Sequence, residues 1–209
     1  MTRERILMHK FATPAATLFL AAALLSSTAS AAPIGIGTPL PAFSLKNVDG
    51  RTVSAADFAE KTALVVVFSC NHCPYAQAYQ DRLIALQNQY ASRGVQFVLI
   101  NPNDPKRQPQ DSFENMQKRA AEKKYPFPYL FDESQAVALA YGAARTPEVY
   151  LFGPDRKLVY QGRIDDNTEE KQVKTHDLGN ALDLLLAGTP GTIPIPVTKA
   201  FGCTIKWRQ

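Results

Sequence analysis

The sequence predicts an α/β sandwich, a mixed β-sheet with helices on both faces, and three observations carry the prediction. Residues 64–68 (Leu-Val-Val-Val-Phe) are an unbroken apolar run without alternation, as expected of a strand buried on both sides. Cys70-Asn71-His72-Cys73 follows at once and leads into apolar residues at helical spacing, so a central strand turns directly into a helix. Strand and helix patterns then alternate until two strands are separated only by Gly153-Pro154-Asp155-Arg156. Two parallel crossovers followed by a closing hairpin make one mixed sheet.

Each element has its own signature. Within residues 39–57, Phe43-Ser44-Leu45 alternates, Asp49-Gly50 signals a turn, and Thr52-Val53 returns as a second strand. After the cysteine pair, Ala76, Tyr79, Leu83, Leu86 and Tyr90 mark one helix face, which Gly94 can end. Residues 95–100 read as a strand, and residues 101–110, with three prolines, as a loop. Asp111 or Ser112 can cap a helix carrying Phe113, Met116 and Ala120. The prolines of Tyr125-Pro126-Phe127-Pro128 force an extended approach to the strand at residues 129–131. A short helix is expected over 134–141, closed by Gly142, then strands at 148–152 and 158–161. Thr175 can cap a last helix through Leu178, Ala181, Leu182, Leu185 and Leu186, ending at Gly188. From about residue 189 a proline-rich tail is expected to lie extended over the surface.

The ends bound the rest. Arg3, Arg5 and Lys10 precede a short apolar stretch at residues 15–25, and Ala29-Ser30-Ala31 fits a small-x-small cleavage site. Residues 1–31 are therefore expected to be a signal peptide and 32–209 a single exported domain, in a bacterium a periplasmic one. Membrane attachment follows only if the segment stays uncleaved. A net charge of +4 over 209 residues, with basic and acidic side chains interspersed, gives no run of nucleic-acid type. An oxidising compartment also suits exposed thiols.

Cys70 and Cys73 carry the chemistry. A strand end delivers the first sulfur to the surface, and the helix N-terminus behind it supplies free N–H groups and a positive dipole end, both favouring thiolate. Cys70 is expected to attack and Cys73 to resolve, with His72 hydrogen-bonding the Cys70 thiolate and lowering its pKa. A zinc site is not completed: three cysteines and three histidines hold no second pair at familiar spacing. No metal or other cofactor is expected. Asp165-Asp166-Asn167 lacks the glycine and distal glutamate of a calcium loop and reads as a turn.

From about residue 36 to 186 the chain resembles the thioredoxin-like superfamily, on the CxxC at its first long helix and on Thr146-Pro147 before the hairpin. More closely it resembles bacterial redoxin-type proteins described as thiol-disulfide isomerase/thioredoxin or alkyl hydroperoxide reductase/thiol-specific antioxidant-like. The shared segments are Phe68-Ser69-Cys70-Asn71-His72-Cys73-Pro74-Tyr75, Arg145-Thr146-Pro147-Glu148-Val149, Gly162-Arg163-Ile164-Asp165-Asp166-Asn167, Thr175-His176-Asp177-Leu178 and Gly202-Cys203-Thr204-Ile205-Lys206-Trp207.

The resemblance implies a thioredoxin-like three-layer sandwich, a cis Pro147 facing the CxxC, and a Thr146 backbone that pairs with an incoming polypeptide as an added strand. Its partners would be a disulfide- or thiol-containing protein and a redox partner protein. The acid that often stands six residues before the first cysteine is replaced by Leu64, and Glu148 is expected to lie near the sulfurs and move the Cys73 proton instead. Cys203 is either a third redox thiol or a buried structural one, and the common behaviour of free cysteine favours the second. The resemblance also carries two other activities. A peroxiredoxin-type peroxidase would want a hydroxyl three residues before Cys70, where Val67 stands. A copper carrier combining Cys70, Cys73 and His176 would want CxxxC spacing, and His176 reads instead as a residue of a first helical turn.

Overall fold

The structure is a computed structural model that describes Met1 and residues 33–209. The expected signal peptide, apart from Met1, lies outside the described residues. None of the helices described is long and apolar enough to cross a membrane.

The elements follow in the order β1 (Ser44–Asn47), β2 (Thr52–Ser54), β3 (Ala63–Phe68), α1 (Pro74–Tyr90), β4 (Val95–Asn101), α2 (Phe113–Lys123), β5 (Tyr129–Phe131), α3 (Ala136–Tyr141), β6 (Arg145–Thr146), β7 (Glu148–Phe152), β8 (Leu158–Gly162), α4 (Asp177–Leu186) and β9 (Cys203–Thr204). Seven strands form one sheet in the order β2-β1-β5-β4-β3-β7-β8. β3, β4 and β5 run parallel, while β7 and β8 close the sheet antiparallel on the other side of β3. The strand at the point of reversal is the one that leads into the cysteine pair. All six of its side chains are fully buried, which accounts for its unbroken apolar run.

Successive right-handed crossovers from β3 to β4 to β5 put α1 and α2 on the same face. Tyr79, Leu83 and Tyr90 of α1, Met116 of α2 and Leu178, Leu182 and Leu185 of α4 pack there on Val65, Val67, Phe97, Leu99, Val149 and Leu151. The opposite face is covered by the short α3, the strand lead-in around Phe43 and Phe58, and part of the tail, over Leu64, Val66, Phe68, Tyr150 and Phe152. The expected three layers are present, with three helices on one side and one on the other. Arg82 ties α1 to the loop after β8 through the buried Asp165 carboxylate and the carbonyls of Asn167 and Thr168. The aspartate-rich segment at 165–167 thus serves as an anchor for α1.

Two local expectations are corrected. The N-cap position of the last helix is His176, whose side chain makes no capping bond, and not Thr175, whose carbonyl accepts the Asp166 amide one residue earlier. The tail does not simply drape over the surface. It bridges to β8 at Gln161 and Val197, forms β9 against β6, and buries Ile205 and part of Trp207 in the second face. A two-residue strand has no periodicity to reveal it in sequence.

Gly162 makes the tail's return feasible. Its φ is +135°, and a Cβ there would fall 2.2 Å from the Thr198 carbonyl oxygen. Gly162→Ala is expected to destabilise the fold by about 1–3 kcal/mol, seen as a lower urea midpoint at unchanged slope. An unchanged midpoint would mean that the tail is not seated on β8 in solution.

Candidate functional site

The site stands where β3 ends. Ser69 continues the ladder by donating to the Ile100 carbonyl, and the chain then turns through Cys70, Asn71 and His72 into α1, with Cys73 as N-cap and Pro74 as the first helical residue. Asn71 fixes this turn. Its side chain accepts from the Tyr129 hydroxyl at 3.0 Å and donates to the Gln110 carbonyl at 3.0 Å, while Gln77 donates to its backbone carbonyl.

Asp111 completes the turn from across the sheet. One carboxylate oxygen accepts the amides of Asn71 (2.7 Å) and His72 (3.1 Å), and the other accepts His72 Nδ1 (2.6 Å) and the Asn103 amide group (2.8 Å). Asp111 has no exposed surface. Sequence reading offered Asp111 or Ser112 as a helix cap. Ser112 takes that role, accepting from the Asn115 amide, and Asp111 turns inward to the cysteine loop.

His72 Nδ1 stands between the two groups, 3.5 Å from Cys70 Sγ and 2.6 Å from the Asp111 carboxylate. Cys70 also faces Thr146, with 3.1 Å between Sγ and Oγ1. Cys73 lies 3.1 Å from the Thr146 carbonyl, which takes its proton when the thiol is neutral. Thr146 therefore touches both sulfurs, one with its side chain and one with its backbone. The bond between Thr146 and Pro147 is cis, as the resemblance implied.

The two thiols titrate as a unit. The neighbouring Cys73 sulfur, burial and the Asp111 charge push the Cys70 thiol well above the ordinary thiol range. Cys73 is drawn down to about 5, first by the hydrogen bond from Cys70 and then by Cys203 and the Ala76 amide, against the cost of burial. The helix N-terminus acts on its own N-cap sulfur and the buried carboxylate on the other, so the first proton lost belongs to the pair. Access distinguishes the two. Cys70 retains 5 % exposure and Cys73 none.

Glu148 has a different task from the one expected. The two-residue period of β7 places it with Tyr150 and Phe152, on the face opposite α1. Its carboxylate accepts the amides of Ala144 (2.9 Å) and Arg145 (3.0 Å), holding the segment that carries Thr146, and none of its hydrogen bonds reaches a sulfur.

Cys203 is brought to the centre. β9 pairs antiparallel with β6, matching Thr146 with Cys203 and Arg145 with Thr204. The Cys203 sulfur lies 2.7 Å from that of Cys73, and its amide points at the same atom from 3.4 Å. The β6 edge, to which an incoming chain was expected to add, is therefore already paired with the protein's own tail. A shallow polar groove lined by Asn71, Gln110, Asn115, Lys118, Arg119 and Glu122 runs beside the cysteine loop.

Cys70, His72 and Asp111 offer ligand atoms within 4.8 Å of one another. Both Asp111 oxygens and His72 Nδ1 are already committed to hydrogen bonds, so the donor set is filled from within. His176 is exposed at the start of α4 and joins no sulfur. Val67 is packed in the core and offers no hydroxyl to a peroxide.

The Redoxin family model matches residues 36–182. Thiol-disulfide oxidoreductase ResA of Geobacillus thermodenitrificans (strain NG80-2) is 24% identical over 145 residues, covering 68% of this chain and 76% of that protein. An uncharacterized conserved protein from Geobacillus kaustophilus has a crystal structure that superposes with a TM-score of 0.78 at 45% identity, over 83% of this chain and 93% of the other. A hypothetical protein from Sinorhizobium meliloti 1021 gives 0.76 at 37% identity, over 84% and 96%. The thioredoxin domain of a thiol-disulfide oxidoreductase from Bacteroides vulgatus shares the fold, with a TM-score of 0.53 at 21% identity over 61% of this chain and 88% of that one. The sandwich is thioredoxin-like.

The paired titration has a definite pH signature. Thiolate absorbance of the reduced protein is expected to appear with a midpoint near 5, from the lowered Cys73. Between there and the unfolded thiol value of 9.0, the folded dithiol has lost one proton that the unfolded chain retains, so stability rises with pH. Above 9.0 the unfolded Cys70 ionises while the folded one resists, so stability falls again. Urea titrations of the reduced protein at pH 4.5, about 7 and about 10 test both limbs; a stability independent of pH would contradict the paired titration. Asp111→Asn removes a charge facing Cys70 and should speed alkylation of Cys70 by iodoacetamide, read by peptide mapping. It should also cost about 1–3 kcal/mol of stability from the disturbed buried hydrogen bonds.

Proposed function

The chain belongs to the Redoxin family, and from that premise we propose that it is a thiol-disulfide oxidoreductase acting through a Cys70–Cys73 dithiol/disulfide couple. The single observation that carries this reading is the division of labour between the two sulfurs. Cys70 keeps a little surface at the strand end, where a partner's disulfide or thiol can reach it; Cys73 lies fully buried behind it at the helix N-terminus, and Thr146 touches both sulfurs. The name of the Geobacillus thermodenitrificans relative supports the same activity.

In the reducing direction, Cys70 gives up its proton and attacks a substrate disulfide. A Cys70–substrate disulfide forms and the second substrate sulfur leaves as a thiolate, taking the proton. The Cys73 thiolate then attacks Cys70 Sγ, the Cys70–Cys73 bond forms, and the first substrate sulfur departs. The Thr146 hydroxyl, 3.1 Å from Cys70 Sγ, is placed to donate to that sulfur whenever it carries charge. The reverse sequence oxidises a substrate dithiol. The substrate is a disulfide- or thiol-containing protein, and a second redox protein restores the couple.

Export belongs to the same reading. It rests on the basic residues Arg3, Arg5 and Lys10, the apolar stretch and Ala29-Ser30-Ala31, and it places the couple in a periplasm that tolerates disulfides.

The test is equilibration in glutathione buffers with thiol trapping. The reduced chain is expected to form the Cys70–Cys73 bond reversibly, and Cys70→Ser to exchange with a protein disulfide only at background rate. Cys73→Ser combined with Cys203→Ser should accumulate a mixed disulfide on Cys70. Failure to form the bond at any glutathione ratio would overturn the reading. Turnover of hydrogen peroxide faster than disulfide exchange would move the assignment to a peroxidase.

A further inference from the structure

We propose that Cys203 is a third member of the redox centre, and that Cys73 exchanges its disulfide between Cys70 on the outer side and Cys203 on the tail. The inference rests on the Cys70–Cys73 couple proposed above and adds a partner to it.

Two independent features of the fold deliver Cys203. The first is strand pairing. β9 lies on β6 with Cys203 matched to Thr146, the residue that touches both other sulfurs. An extended substrate would have to occupy this edge in order to pair with Thr146, so the tail sits as an internal substrate strand with a thiol at the matching position. The second is close approach at Gly202. A Cβ there would stand 2.4 Å from the Thr146 carbonyl oxygen, so only glycine lets the tail backbone come this near. The result is a sulfur 2.7 Å from Cys73 Sγ, a small displacement from the ~2.05 Å of a covalent S–S bond.

The tail is held at both ends of this contact. Arg145 donates to the Gly202 carbonyl, the Ile205 amide to the Ala144 carbonyl, the Lys206 amide to the Asn103 side-chain oxygen, and the Asp104 amide to the Lys206 carbonyl. Arg208 donates its amide to Gln135. Such anchoring exceeds what a space-filling cysteine needs, and it keeps the thiol in place through a reaction cycle.

The exchange balances without an external oxidant. Starting from the Cys70–Cys73 disulfide, the Cys203 thiolate attacks Cys73 Sγ. The Cys73–Cys203 bond forms, the Cys70–Cys73 bond breaks, and Cys70 leaves as a thiolate that takes up the proton Cys203 released. Cys70 is then free, the oxidising equivalent is stored inside, and the tail is covalently tied over the Thr146 edge. The reverse attack by Cys70 on Cys73 restores the outer disulfide. Cys73 follows Cys70 in the same turn, packs with it in one small buried cluster, and is the sulfur that Cys203 touches, which makes it the pivot.

Disulfide mapping of the full chain decides the matter. Trypsin leaves Cys70 and Cys73 together in the peptide of residues 62–82 and Cys203 in that of residues 200–206, so a bond to Cys203 appears as a cross-linked pair. After equilibration in glutathione buffer and acid trapping, the wild-type chain should show both the internal bond and the cross-link. Cys70→Ser should show the cross-link alone, within a monomer, and Cys203→Ser the internal bond alone. Gly202→Ala should reduce the cross-link about tenfold or more while retaining the internal bond. An internal bond with no cross-link in either the wild-type chain or Cys70→Ser overturns this inference and leaves the Cys70–Cys73 couple standing. Absence of both bonds overturns the couple and the inference together.

Discussion

The buried carboxylate of Asp111 is the constraint on which the site depends. A lone ionised carboxylate inside a protein costs several kcal/mol or more, and it survives there only when its oxygens are filled by donors. Here four donors fill them: two amides and a ring nitrogen from the cysteine turn, and the side chain of Asn103 from the loop after β4. The turn and the loop therefore cannot move independently. Asn103 in turn accepts the Lys206 amide with its other side-chain atom, so the same set of bonds reaches the tail. A segment at residues 70–73, one at 101–111 and one at 202–208 are folded into a single unit by a charge that none of them could bury alone.

That charge also explains the asymmetry of the thiols. An isolated CxxC at a helix N-terminus would draw negative charge toward its exposed sulfur. Asp111 opposes this on the Cys70 side and holds the His72 ring at 2.6 Å. Cys73 sits where the helix amides, the Cys70 thiol and the Cys203 backbone converge, with the Thr146 carbonyl as the one hydrogen-bonding group working against ionisation. The two sulfurs therefore share one titration, with one at the surface side of the turn and the other sheltered behind it.

The sequence made the sheet and the cysteine pair legible because both are local. An apolar run without alternation can be read residue by residue, and so can a proline at the first helical position after a cysteine. Ser112 and Asp111 show where local reading ends. Each is a good cap by type, and nothing within a few residues says which of them turns toward a loop some forty positions away. Glu148 follows the same rule: its place after Pro147 points to the sulfurs, while the strand's period of two decides its face. The partnership of Asn71 and Tyr129 carries no local signal, since the hydrogen bond that joins them crosses from the cysteine turn to β5. The short β6 and β9 are invisible to pattern because each is two residues long and defined only by the other.

The tail is where these limits matter most for function. A strand edge beside reactive thiols is open to any extended chain, and proteins commonly cover such edges. Here the cover is the protein's own C-terminal segment, and its glycine and cysteine are set against the one threonine that contacts both sulfurs of the pair. A cover built only for protection would carry any residue compatible with a strand, and a bulkier side chain would exclude solvent better than a thiol. Placing a third sulfur within 2.7 Å of a fully buried one instead gives Cys73 two alternative partners without any rearrangement of the sheet. In the exchange proposed above, the position of this single anchored strand sets how near the third sulfur stands to Cys73.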